Sequence, residues 1–277
     1  MRAYGPLGFI TRLELVRPDG VEVEWTSRRH RKLLGLSARG VPARERRRRP
    51  PTAMSCWLAT LFGVGSACFA AGSIPLFVDH VDAHVLAWTF AVGSVFFTGA
   101  AFLQFHETVT APQELLAAPR RRRLSGLVRW RPRRVDWWAA ATQLAGTVFF
   151  NVSTFAATRT DLSFDRAQRL VWGPDVAGSV CFLLAGWLAY AEVNKGVLPR
   201  SDRTVGWRIA ALNLIGAIAF GASAVGARLL PTTGEPVDVA LVNAGTFLGA
   251  VCFLFGAVLL PVESSRDATA TAAPSRS

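Results

Sequence analysis

The chain has 277 residues, 51% of them hydrophobic and only 18% charged, with a mean hydropathy of +0.29 and a formal net charge of +12. Nearly all the charge lies between long apolar stretches, which excludes an ordinary water-soluble globule of this size. The basic runs lack the interleaved aromatics and the recognisable fold of a nucleic-acid site, so no nucleic-acid partner is expected.

Residues 1–55 read as a basic cytoplasmic segment. Within it, Leu13-Glu14-Leu15-Val16 and Val21-Glu22-Val23-Glu24-Trp25 alternate apolar and polar around Pro18-Asp19-Gly20. That pattern predicts a β-hairpin over 12–26 with Gly supplying the turn. An isolated hairpin is marginal in water and needs a surface to dock on. Ser27-Arg28-Arg29-His30-Arg31-Lys32 follows, then a basic linker through Arg46, Arg47, Arg48 and Arg49.

Six apolar stretches come next, at about 57–77, 84–105, 137–157, 174–192, 207–227 and 237–260. Each is close to 20 residues, the length of a helix that crosses about 30 Å of hydrocarbon. The runs are continuous rather than alternating, which favours helices over a barrel. The first begins more than fifty residues in, so no cleavable leader is expected and the first helix serves as its own insertion signal.

Lys and Arg number 13, 8, 3 and 2 in residues 1–55, 106–136, 193–206 and 262–277. The alternate spacers 78–83, 158–173 and 228–236 carry 0, 3 and 1. This bias places both termini in the cytoplasm of a cell (plasma) membrane protein. It also makes Arg46–Arg49 and Arg120, Arg121, Arg122 and Arg123 candidates for contact with anionic lipid headgroups. The residues from 262 to 277 are Ser/Thr/Ala-rich and read as a disordered cytoplasmic tail.

All six stretches carry one word: Gly, a small residue, any two, then Phe. The pairs are Gly65/Phe69, Gly93/Phe97, Gly146/Phe150, Gly178/Phe182, Gly216/Phe220 and Gly249/Phe253. Gly and Phe four apart share a helix face, so each helix presents a notch beside a ring. Without a hydrophobic drive in lipid, such small-residue faces supply close packing. The surroundings align as well. Trp137…Gln143…Gly146…Phe150 overlays Trp207…Asn213…Gly216…Phe220 at an offset of 70. Gly178–Leu183 overlays Gly249–Leu254 at 71, and Gly93–Phe97 joins the latter two at 85 from Gly178. The expected architecture is therefore all-α: six transmembrane helices forming three parallel-repeated hairpins, with a short cytoplasmic N-terminal β-hairpin. The hairpins span 56–105, 137–192 and 207–261, with a basic cytoplasmic loop at 106–136.

Gly93-Ser94-Val95-Phe96-Phe97-Thr98-Gly99 resembles the YrhK-like domain family of small bacterial integral membrane proteins, and the likeness extends more weakly over 56–261. The preamble ending Glu24-Trp25-Thr26-Ser27-Arg28-Arg29-His30-Arg31-Lys32 is similar to longer relatives. The resemblance implies an integral membrane protein of unknown function and carries no activity, cofactor or site residue.

Chemistry-bearing residues are sparse. His80 and His84, with Asp82, have the i, i+4 spacing of a metal site if helical, although a polar turn needs no metal. Cys56, Cys68, Cys181 and Cys252 read as small packing residues. The middle of every stretch lacks Asp, Glu, Lys, Arg and His, which argues against ion coupling. Gln143, Asn151, Asn213 and Asn243 suit interhelical hydrogen bonds or a ligand. The expected function is a non-enzymatic structural or interaction protein without cofactor, contacting the bilayer, anionic lipid or an unknown protein. The alternative is a carrier or channel for a neutral or lipid-like substrate.

Overall fold

The computed structural model describes residues 2–271 except 7, 19, 39–49, 112–132 and 195–203. The lipid-contact candidates Arg46–Arg49 and Arg120–Arg123 lie outside the described residues.

The N-terminal part is a four-stranded antiparallel sheet in sequence order: β1 (Arg2–Tyr4), β2 (Arg12–Val16), β3 (Glu22–Thr26) and β4 (Ser37–Ala38). The predicted hairpin is its centre, with Arg12 opposite Thr26 and Leu15 opposite Val23. Gly20 takes φ +81° in the turn, a conformation that costs glycine little. Alternation puts Leu13, Val23 and Trp25 on one buried face. The sheet is larger than the hairpin alone because β1 and β4 add to its two edges.

Thr26 ends β3 and caps a short helix, α1 (Ser27–Arg31), by accepting a hydrogen bond from the Arg29 amide. The remaining helices among the described residues are α2 (Ala53–Gly72), α3 (Pro75–Val78), α4 (Ala83–Thr110), α5 (Val135–Ala157), α6 (Phe164–Ala167), α7 (Gly173–Val193), α8 (Val205–Gly226) and α9 (Val239–Thr271). A π-helical turn, Gln168–Trp172, joins α6 to α7, so that helix runs on beyond the predicted start at 174. The first apolar stretch divides instead: α2 stops at Gly72, and Pro75 opens a new turn because it cannot continue the helix. At the other end of the chain, α9 continues through the expected disordered tail to Thr271. Glu263 and Ser264 are buried there and held by neighbours.

Five of these helices are long and apolar enough to cross a membrane: α2, α4, the α6–α7 unit, α8 and α9. The sixth long helix, α5, has 23 residues, about 35 Å. It is more polar, carrying Asp136, Gln143, Asn151 and four threonines or serines from Thr142 to Thr154. The six pack in chain order, α2–α4–α5–α7–α8–α9, and α9 closes back on α2.

The Gly and Phe residues of the repeated word meet inside this ring. All six phenylalanines belong to one buried cluster. Phe97, Phe182 and Phe253 form a closed triangle with ring centroids 5.7–6.4 Å apart. Each also touches the phenylalanine of the helix preceding it: Phe69–Phe97 at 5.5 Å, Phe150–Phe182 at 5.1 Å and Phe220–Phe253 at 5.8 Å. The glycines explain why rings and backbones come this close. A Cβ on Gly65 would stand 2.8 Å from Phe97, and one on Gly93 3.0 Å from Phe69. Gly146 and Gly178 relate in the same way to Phe182 and Phe150, and Gly216 and Gly249 to Phe253 and Phe220. Ring and notch are thus exchanged reciprocally between α2 and α4, α5 and α7, and α8 and α9.

Polar residues stitch the ring. Ser94 and Thr154 share a hydrogen bond of 2.9 Å between α4 and α5, where Asn151 also donates to Thr98 at 2.9 Å. Ser223 and Thr246 pair at 2.8 Å between α8 and α9. Trp172 donates to the Ala224 carbonyl at 3.0 Å.

Candidate functional site

The densest chemistry lies where α1 meets the ends of the long helices. Glu107, Glu192 and Glu263 occupy the same place on α4, α7 and α9, each fourteen residues past the notch glycine. All three are buried, and Asp136 joins them from the start of α5. Onto these carboxylates α1 lowers its cations.

Arg28 binds Glu263 with two bonds, Nε to Oε1 at 2.5 Å and Nη2 to Oε2 at 3.2 Å. Such a fork matches guanidinium to carboxylate in both geometry and charge. Lys32 adds Glu263 at 2.7 Å and Asp267 at 3.1 Å. Arg31 reaches Glu192 at 3.2 Å and Asp136 at 3.7 Å, and Ser27 donates to Glu192 at 2.6 Å. Arg29 donates to the Asp267 carbonyl at 2.8 Å. Gly206 makes room, since a Cβ there would lie 2.7 Å from Glu263 Oε1. Burial works against the charge on Arg31, but Glu192, Asp136 and Glu107 outweigh it and hold its pKa above the ordinary arginine value. Arg28 balances in the same way, with burial opposed chiefly by Glu263. Thr52, the cap of α2, is tied to the same region through Ser264 at 3.1 Å.

Between this ionic layer and the phenylalanines lies a chamber of about 70 Å³. Phe62, Phe182 and Phe253 border it on one side, and Arg28, Arg31 and Lys32 with their glutamates on the other. Its walls combine small residues such as Ala139, Ala185 and Gly186 with Leu58, Ile209 and Leu260, interrupted by Gln104, Gln143 and Asn213. The phenylalanine layer itself encloses a gap of only about 10 Å³, room for one water at most.

The residues singled out by sequence have other employments or other neighbours. Asp82 caps α4, accepting from the His84 and Val85 amides at 2.8 and 3.0 Å. His84 accepts from Trp88 at 3.0 Å, and His80 Nδ1 lies 2.7 Å from the Leu76 carbonyl. Among the described residues no group of three His, Cys, Asp or Glu is placed to hold a metal. The four cysteines are free, and Cys68 and Cys181 pack against Gly93 and Gly146. Gln143 and Asn213 both line the chamber. The glutamates were the missed signal: they recur at offsets of 85 and 71, the same as the glycines, yet each sits at a helix end where charge draws no notice.

Taken together, the five long apolar helices mark the chain as a multi-pass membrane protein. No protein-family model, curated protein or solved structure matches it.

Proposed function

We propose that this is a six-span integral membrane protein of the interaction class, non-enzymatic, built from three parallel hairpin repeats. The notch-and-ring exchange within each helix pair supports the repeat, as does the YrhK-like word at Gly93–Gly99. The positive-inside bias puts the α1 end, and both termini, on the cytoplasmic side of the plasma membrane. There the bundle holds its own N-terminal sheet against its mouth and presents the basic stretches Arg46–Arg49 and Arg120–Arg123 to anionic lipid. The observation that carries this reading is the seating of α1 on Glu192 and Glu263. It makes the cytoplasmic mouth a protein-docking surface whose cations are already neutralised. The lipid role then falls to the arginine runs outside α1.

The test uses the full chain in phosphatidylcholine vesicles, mixed with acceptor vesicles that contain phosphatidylglycerol. Tethering that requires the anionic lipid and fades with salt is expected. Equal behaviour toward purely zwitterionic acceptors would remove the lipid-contact role.

The polar chamber favours a second reading, a carrier for a small neutral substrate. The chamber opens in one half of the bundle, and the phenylalanine layer stands across the other.

A further inference from the structure

The chamber has a composition that packing alone does not account for. Gln104, Gln143 and Asn213 come from three different helix pairs and converge on one space. None of these side chains has a hydrogen-bond partner among the described residues. All three are only half-buried, so their amide groups stay open to the cavity, and a few polar groups converging on an otherwise apolar pocket are the usual mark of a ligand site. Gln143 and Asn213 are equivalents in the repeat, while the third equivalent is Phe62, which borders the space. The pair α2–α4 lacks the amide at that position and supplies one from its other helix, as Gln104. Gly256 leaves room for the Asn213 amide, since a Cβ there would stand 2.6 Å from Asn213 Oδ1.

We infer that the chamber is a binding site for a small, neutral amide-like solute. This goes beyond the docking reading and deepens the carrier reading, whose substrate class it narrows. The class follows from three features. Each lining carboxamide offers donors and an acceptor, and the group that answers both at once is another amide. The three cations of the floor, Arg28, Arg31 and Lys32, face four carboxylates, Glu107, Asp136, Glu192 and Glu263, so an anionic solute finds no cation left over. The small and aliphatic wall residues and the phenylalanine border suit a short apolar substituent. The volume, about 70 Å³, holds roughly five waters or one molecule of acetamide's size.

The test titrates acetamide into the full-length protein in nanodiscs, with Gln and Asn side-chain amides labelled with ¹⁵N. Gln143→Met, Asn213→Leu and Gln104→Met assign the three resonances. The expected result is a saturable shift of all three with acetamide and none with acetate, its charged isostere. Gly256→Ala, which crowds Asn213 without touching a lining amide's chemistry, weakens acetamide about tenfold, the scale of one lost hydrogen bond. No saturable shift in the wild-type protein, or an equal response to acetate, overturns the proposal and leaves water as the occupant. The wild-type titration decides this even if a variant fails to fold. The vesicle-tethering result is independent of it, so the two readings fail separately.

Discussion

Arg31 on α1 and Glu192 at the end of α7 stand 3.2 Å apart with both side chains buried, although 161 residues separate them in sequence. The pair fastens the N-terminal sheet to the helical ring. Removing one member of a buried pair strands the other charge and typically costs about 3–5 kcal/mol, whereas replacing both by apolar residues is often close to neutral. Glu192→Gln is therefore expected to speed amide exchange across α1 and β3 by roughly two orders of magnitude. The double variant Arg31→Met/Glu192→Met recovers most of that protection. Unchanged exchange in Glu192→Gln would show that the sheet is held by something else.

Docking is also expected to survive alkaline pH. The folded-state pKa values of Arg28 and Arg31 lie above the ordinary arginine value, because the facing carboxylates overcome the effect of burial. A raised pKa on a cation contributes stability that is complete below the unfolded value and is lost only as pH rises past the folded one. Both values lie far above neutral, so exchange protection of α1, corrected for intrinsic rate, should be flat between pH 7 and pH 10. A midpoint inside that interval would place the holding charge on some other group.

The notch glycines give a sharper test of the ring. At Gly146 a Cβ would lie 2.9 Å from both Cys181 Cβ and Phe182 Cδ2. Neither neighbour is the free end of a flexible chain, so Gly146→Ala forces α5 and α7 apart, at a cost of about 1–3 kcal/mol. At Gly99 the nearest atom is Leu61 Cδ1 at 3.7 Å, an ordinary contact. Gly99→Ala is expected to be neutral or to stabilise α4 by up to about 1 kcal/mol through helix propensity. Thermal unfolding in one detergent compares the two, and equal effects would mean the notch is not occupied as described.

Phe182 and Phe149 separate interior from exterior in the same manner. Phe182, one corner of the triangle, is 4% exposed, and Phe149 is 40% exposed on the outside of α5. Phe182→Ala opens a cavity beside the rings of Phe97, Phe150 and Phe253 and is expected to cost about 3–5 kcal/mol. Phe149→Ala removes an outward contact and should change stability by less than about 1 kcal/mol. A Phe149 effect as large as that of Phe182 would point to a partner covering the outside of α5.

The helix pairs and their notch-and-ring faces were legible as one word repeated six times, because Gly and Phe act locally, four residues apart on one face. The closure of α9 on α2 and the meeting of all six phenylalanines in one cluster were not. The β2–β3 hairpin was equally legible from two-residue alternation. What sequence did not reveal depends on contacts between distant segments. Arg28, Arg31 and Lys32 read as part of a solvated basic run, and nothing local says that Glu192 and Glu263 wait for them more than 160 residues away. The last turns of α9 looked disordered from their Ser, Thr and Ala content. They are helical because Glu263, Ser264 and Asp267 are held by Arg28, Thr52 and Lys32. The chamber escaped notice for the same reason, since Gln104 lies outside the aligned positions that drew attention to Gln143 and Asn213.

Ser66 and Ser94 hold equivalent places beside the notch glycines Gly65 and Gly93, yet their hydroxyls fare differently. Ser94 donates to the Ala91 carbonyl at 2.8 Å and shares a 2.9 Å bond with Thr154 on the neighbouring helix. Ser66 is fully buried and its hydroxyl meets no partner among the described residues. A buried, unpaired hydroxyl is a liability of about 1–3 kcal/mol, while an interhelical bond in such a bundle contributes about 0.6 kcal/mol. Ser66→Ala is therefore expected to hold or raise the unfolding temperature, and Ser94→Ala to lower it. Both substitutions remove one oxygen from an equivalent site, so helix propensity and volume cancel in the comparison. If Ser66→Ala proves the more harmful of the two, its hydroxyl has a partner such as an internal water, and the face of α2 beside Gly65 is wetter than its packing implies.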